Sequence, residues 1–181
     1  MVAGLGVLAA ASLFSFGKSP NQVQAAKKSS SSLVIYFSKT GNTERAAKRI
    51  QKETDARILR ITPKIPYPND YDETTRVAQR QIQQNIHPAI KTKLPSIKRY
   101  KHIYIDFPTW WMQPLMIIHT LFDRYNFRGK TIVPFTTSMS TSMLYIRQMA
   151  QPYNATVLNG YRYTGSNTGL RNWLQGLNLI K

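Results

Sequence analysis

The chain has no cysteine, only eight acidic residues against 25 lysines and arginines, and three histidines. Without cysteine there can be no disulfide, thiolate metal site, cysteine nucleophile or lipid-modified cysteine. His87, His102 and His119 lie far apart, with no H-x-x-x-H spacing and no second acidic cluster, which disfavours a metal site. No G-x-S-x-G elbow is present for serine hydrolysis. Neither G-x-x-x-x-G-K-[ST] nor G-x-G-x-x-G occurs, which disfavours a nucleoside triphosphate or a dinucleotide as the resident ligand. No internal repeat is seen. The shortage of acids leaves a formal charge of +17, which implies attraction to polyanions: nucleic acid, an anionic membrane surface, or an anionic cell-wall polymer. Nucleic acid is supported by charge alone, with no RNP, zinc-finger or recognition-helix pattern, and is disfavoured. The densest basic run, Lys91, Lys93, Lys98, Arg99 and Lys101, reads as a solvated face.

Val2 to Phe16 is apolar and uncharged but shorter than the ~20 residues that span a bilayer. Val23-Gln24-Ala25 before Ala26 offers a small-residue cleavage site, although no basic residues precede the apolar run. Residues 1–26 therefore read as a signal peptide or short membrane anchor, and residues 27–32 (Lys-Lys-Ser-Ser-Ser-Ser) as a flexible linker. Residues 33–181 then form one domain, expected outside the cytoplasmic membrane, secreted or anchored at its outer face. Within the first 26 residues Lys18 is the only charged side chain, so the domain itself is basic. A hydrophobic content of 42% with 11% aromatics is enough for a real core.

The most informative stretch is Leu33-Val-Ile-Tyr-Phe-Ser-Lys-Thr-Gly-Asn-Thr43, an apolar strand run breaking into a small polar turn that opens an amphipathic helix over 43–54. Such a turn can cradle a phosphate with the amides of Thr40 to Thr43, the hydroxyls of Ser38, Thr40 and Thr43, and the positive end of the helix dipole. Gly41 lets the backbone turn tightly and approach the anion. The plain alternative is an ordinary strand-to-helix turn capped by Asn42 or Thr43.

Further strands are expected at 56–61, 102–107, 130–136 and 156–158, and further helices at 70–84, 114–124 and 169–177. A proline-stiffened loop covers 62–70 and a basic loop 87–98. Pro114 is expected near the first turn of its helix. Strands alternating with helices argue a parallel sheet covered on both faces, whose ligand lies beyond the carboxyl ends of the strands. Three loops qualify: Ser38–Thr43, Pro108–Pro114 and Thr137–Ser142. Trp110 and Trp111, adjacent in a polar loop, cannot both turn into one core, so one of them should face a flat ligand or solvent. The alternative is that both plug the gap between loop and helix. Asp106, near the end of a central strand, is expected to cap the loop that follows it, the alternative being that it faces the ligand.

Ser38-Lys-Thr-Gly-Asn-Thr43, Pro66-Tyr-Pro-Asn-Asp-Tyr-Asp72, Pro108-Thr-Trp-Trp111, Gly129-Lys-Thr-Ile-Val-Pro-Phe135 and the order of elements together resemble the flavodoxin-like family, over Leu33 to about Leu179. The resemblance implies an α/β, doubly wound, five-stranded parallel sheet in the order 2-1-3-4-5, helices on both faces, and bound FMN. Carried over, Ser38, Thr40, Gly41, Asn42 and Thr43 hold the FMN phosphate, Thr109, Trp110 and Trp111 border the isoalloxazine, and Thr137 and Ser138 close its other side, with Lys39, Pro108 and Met112 completing the loops. Two departures stand out: Met112 replaces the glycine that relatives usually carry after the tryptophan pair, and the third loop reads Thr136-Thr-Ser-Met-Ser-Thr-Ser142 instead of a glycine-rich segment with a histidine. The implied function is electron transfer by FMN, fed by NAD(P)H or a protein partner and delivered to a quinone-like acceptor, since basic surroundings favour reduced, anionic flavin. The rival is a flavodoxin-like domain without redox activity that binds cell wall or membrane surface. No residue is assigned a catalytic role.

Overall fold

The computed structural model describes residues 30–138 and 143–181. In chain order these form β1 (Ser32–Tyr36), α1 (Asn42–Thr54), β2 (Arg57–Arg60), α2 (Tyr71–Gln83), β3 (His102–Asp106), the short β4 (Thr109–Trp110) and β5 (Gln113–Pro114), α3 (Met116–Arg124), β6 (Thr131–Thr136), α4 (Leu144–Ala150), β7 (Thr156–Val157), β8 (Tyr161–Arg162) and α5 (Asn167–Gly176). The main sheet is parallel, in the order β2-β1-β3-β6-β7, with β8 also on β6. Counting β7 and β8 as one interrupted strand, this is the expected 2-1-3-4-5 arrangement.

Alternation along each central strand sorts its side chains to two cores. Leu33, Ile35, Ile103, Ile105 and Ile132 face one side and pack with Ala78 of α2, Ile117 and Leu121 of α3, and Ile146 of α4. Val34, Tyr36, Tyr104, Val133 and Phe135 face the other and pack with Ala46, Ala47 and Ile50 of α1 and Leu170 and Leu174 of α5. Each fully buried aliphatic side chain stabilises the fold by about 1.5–3 kcal/mol, so β1, β3 and β6, buried on both faces, anchor everything that projects from their ends.

Several boundaries differ from the sequence reading for identifiable reasons. Pro114 lies in β5 and α3 begins two residues later at Met116, with Leu115 as its N-cap. Helix α4 is absent from the expectation because only two of its seven residues, Ile146 and Ala150, are buried, too few to set a period. The expected last strand at 156–158 is half of a longer one. Even-numbered residues of β6 face it: Ile132 O accepts from Leu158 N at 2.9 Å and Thr136 O accepts from Tyr163 N at 2.8 Å. Pro134 occupies the intervening position and has no N–H to give, so the outer strand breaks there and resumes at Tyr161.

Candidate functional site

The carboxyl ends of β1, β3 and β6 converge on three loops. In the first, Gly41 is the N-cap of α1, at φ 87°, a left-handed conformation that no side chain favours, and no side chain caps the helix. The alternative of a turn capped by the Asn42 or Thr43 side chain is not what the structure shows. Ser38, buried, accepts the Gly41 amide on its Oγ at 3.0 Å, and Gly41 O takes the first helical bond from Arg45 N at 3.0 Å. Ser38 and Gly41 thus shape the turn. The amides of Asn42, Thr43 and Glu44 have no acceptor among the described residues and point out of the helix start with its positive dipole end. Thr40 is exposed beside them.

Cations hold this loop from below and from the side. Arg60 donates to Ser38 O at 2.8 Å and lies 3.5 Å from the Glu44 carboxylate. Lys39 Nζ donates to Asn69 O at 3.0 Å, tying the loop to the proline-rich segment before α2. The Glu44 carboxyl is held below its ordinary range by its hydrogen bond and charge pairing with Lys48.

The other two loops are stitched to one another. Thr136 Oγ1 donates to Phe107 O at 2.7 Å, Ser138 N donates to Thr136 Oγ1 at 3.2 Å, and Thr109 N donates to Ser138 Oγ at 2.7 Å. Thr137 Oγ1 lies 3.3 Å from Thr43 Oγ1, joining the β6 loop to buried Thr43 at the start of α1. The rest of the third loop, including Met139, lies outside the described residues.

The tryptophan segment is a two-residue hairpin. β4 and β5 pair antiparallel with Trp110 opposite Gln113, so Trp111 and Met112 form the turn, at φ 54° and 63°. Positive φ at both central residues is the geometry that ordinarily selects Asn-Gly. Trp110 packs against the core and its ring lies 5.5 Å from that of Tyr71, tilted by 34°. Trp111 is 56% exposed and donates from Nε1 to Thr75 O at 3.4 Å. One tryptophan therefore turns inward and the other spans the surface.

Between these elements is a cavity of about 590 Å³, large enough for a cofactor of several rings. The structure brings seven of the expected residues to its wall: Lys39, Thr40, Pro108, Thr109, Trp110, Trp111 and Ser138. Ser38, Gly41, Asn42, Thr43 and Thr137 stand behind or beside that wall, in the phosphate turn and its tie to β6, while Met112 points to solvent at 67% exposure. Tyr71 and Thr75 of α2 also line the cavity and were not expected there. The sequence signal for Tyr71 was an aromatic directly after the helix cap Asp70, whose side chain accepts from Glu73 N at 2.8 Å, and Thr75 carried none.

Asp106 does not cap its loop. It is fully buried on the α1 face of the sheet, and neither carboxyl oxygen has a hydrogen-bond partner among the described residues. The adjacent Phe107 amide donates to Phe135 O at 3.4 Å instead. Burial pushes the Asp106 pKa well above the ordinary carboxylate range, the nearby Phe107 amide opposing this only in part. Away from the cavity, His87 Nδ1 lies 2.5 Å from the Asp123 carboxylate and the His87 and His119 rings are 5.3 Å apart. The fold thus brings together two histidines that the sequence separates.

The doubly wound sheet, with a turn of free helix-start amides and an aromatic wall at its carboxyl edge, is the arrangement of a flavodoxin-like protein. A family model described as flavodoxin matches residues 31–177, and the chain belongs to that family. Among solved structures it is similar to a protein of Bacteroides uniformis provisionally named a flavoprotein, with 32% identity, TM-score 0.70, and coverage of 82% of this chain and 99% of that one. A second, from Bacteroides eggerthii and named in the same way, has 28% identity, TM-score 0.71, and coverage of 83% and 98%. A flavoprotein of Lactobacillus acidophilus solved in complex with FMN has 26% identity, TM-score 0.65, and coverage of 78% and 97%. No curated protein matches the chain.

Proposed function

We propose that this chain is an exported FMN protein that accepts electrons from NAD(P)H or a protein donor and passes them to a quinone-like acceptor. The observation that carries the reading is the juxtaposition, across one 590 Å³ cavity, of Lys39 and Thr40 with the Tyr71–Trp110 pair, the unpartnered amides at the start of α1 following Thr40 directly along the chain. The residues fit the cofactor: a dianionic phosphate satisfies the Asn42, Thr43 and Glu44 amides and the Thr40 hydroxyl, and a flat ring system matches the aromatic wall. The FMN-bound Lactobacillus relative supports the same assignment.

When bound, FMN supplies the hydride and electron chemistry. The protein's own part is to clamp the phosphate, hold Trp110 through its packing and Tyr71 contact, and position Thr109 through Ser138. No carboxylate lines the cavity among the described residues, so reduction, which adds negative charge, meets no nearby acid. The export reading rests on residues 1–26 and the linker 27–32 ahead of the domain at 33–181.

The test is a pair of titrations with the full chain. FMN should bind and riboflavin should bind far more weakly, and Thr40→Ala should weaken FMN by about tenfold or more, the contribution of a charge-assisted hydrogen bond being ~1.5–3 kcal/mol. Equal binding of the two flavins defeats the phosphate clamp. Failure of both favours the rival reading, a basic module for cell-wall polymer or membrane surface, which the altered third loop and the +17 charge support. Fractionation of the native host tests export, which a purely cytosolic location would exclude.

A further inference from the structure

A second groove, of about 370 Å³, opens on the other side of Lys39 from the main cavity, over the carboxyl ends of β1 and β2. Three cationic side chains line it, Lys39, Arg60 and Lys91, and Phe37, Pro66 and Tyr67 form an apolar wall. The cations are placed by the fold. Arg60 is fixed by its bond to Ser38 O at 2.8 Å, Lys39 by its bond to Asn69 O at 3.0 Å, and the Lys91 backbone by donation to Thr62 O at 2.8 Å. The aromatic wall is fixed too: Tyr67 donates to Gln81 at 2.9 Å and its ring meets that of Phe37 edge-on at 5.6 Å. Glu44, the acid paired with Arg60 at 3.5 Å, is held more closely by Lys48 at 2.6 Å, so the groove keeps a net positive lining.

We infer that this groove is a second phosphate subsite, which takes the adenosine-phosphate end of a nucleotide next to the flavin phosphate turn. Clustered cations select a phosphate, an apolar wall bearing an aromatic ring selects a base, and the volume suits one nucleotide unit. The groove shares Ser38 and Lys39 with the phosphate turn, so a ligand held there lies beside the flavin's phosphate end and leaves the tryptophan side open. The same chemistry has two sources: the adenylate of a nicotinamide nucleotide donor, or the AMP half of a flavin dinucleotide. Only the donor role rests on the proposed FMN function; the groove binds with or without flavin.

The probe is adenosine 2′,5′-bisphosphate, titrated calorimetrically into the full chain, first without flavin and then saturated with FMN, with adenosine as the uncharged control. The bisphosphate should bind in both states, adenosine should not, and binding should weaken with salt. Lys91→Glu should weaken the bisphosphate about tenfold or more and leave FMN affinity unchanged. If FMN is preferred over FAD and the bisphosphate competes with NADPH during oxidation, the source is the donor. If FAD binds more tightly than FMN and the bisphosphate displaces FAD, the source is the flavin dinucleotide. The subsite is overturned if the bisphosphate fails to bind the flavin-free chain, if FMN displaces it, or if Lys91→Glu has no effect. A chain that binds the bisphosphate but not FMN keeps the subsite and loses the flavin reading, so the two failures are distinguishable.

Discussion

Trp111 and Met112 stand side by side in left-handed backbone, at φ 54° and 63°, and turn the chain from β4 into β5. Outside glycine this conformation costs roughly 1–2 kcal/mol per residue. The turn is kept in place by the Thr75 bond from Trp111 and by Trp110 beneath it, while the Met112 side chain is exposed. Met112→Gly should therefore stabilise the protein by about 1 kcal/mol, read as a rise of a few degrees in Tm. A loss of stability in denaturant unfolding would mean that the methionine side chain contributes packing that outweighs the backbone strain.

Ser138→Ala removes the acceptor for the Thr109 amide, the bond that joins the β6 loop to the tryptophan hairpin. The donor is part-buried, so the expected loss of stability is about 1–2 kcal/mol. Flavin affinity should fall as well, since Thr109 and Ser138 both line the cavity. Thermal unfolding and FMN titration of the same variant check the pair of effects, and an unchanged FMN affinity would show that Thr109 is held without the hydroxyl.

The elements buried on both sides of the sheet were legible because their sequences are short runs rich in apolar and β-branched residues: 33–37, 102–107 and 130–136 fall within a residue of β1, β3 and β6 at every end. The turn before α1 and the tryptophan loop were legible as compositions, and six of their residues line one cavity, joined there by Ser138 of the third loop. What the sequence hid depends on partners distant along the chain. The arrest of the outer strand follows from which way the Pro134 nitrogen faces, which only sheet register determines. Tyr71 reaches the site because α2 packs beside β4. The His87–His119 contact depends on the loop after α2 meeting α3. The fate of Asp106 follows from strand alternation, which turns it towards α1 rather than into its own loop.

The cations near the phosphate turn should tune the cofactor. Lys39 lines the cavity and is positioned by Asn69, with no acid on the cavity wall among the described residues to offset it. Reduction adds negative charge, so Lys39 favours the reduced form, and Lys39→Gln should lower the midpoint potential by an amount on the order of tens of mV. A spectroscopic redox titration at low salt measures this, and the difference should shrink as salt rises. A potential that rises or stays fixed in the variant would remove Lys39 from the tuning.

Asp106 gives the stability of the fold a pH dependence whose sign is fixed by its burial. The folded pKa is raised above that of the unfolded chain, because desolvation penalises the carboxylate and the nearby Phe107 amide offsets only part of this, with no counter-charge beside it among the described residues. Below the unfolded pKa of about 4 both states hold the proton and the residue costs nothing through ionisation. As the pH rises above that value the unfolded chain releases its proton while the folded chain retains it, and this contribution to stability falls until the pH passes the folded pKa. Asp106→Asn preserves shape and removes the ionisation. Relative to the parent, the variant should gain stability progressively from about pH 4 upward, with the gain levelling off above the folded pKa of Asp106. Chemical denaturation of both proteins across the pH range checks it. A stability difference that does not change with pH would mean that Asp106 is charged in the fold and has found a counter-charge.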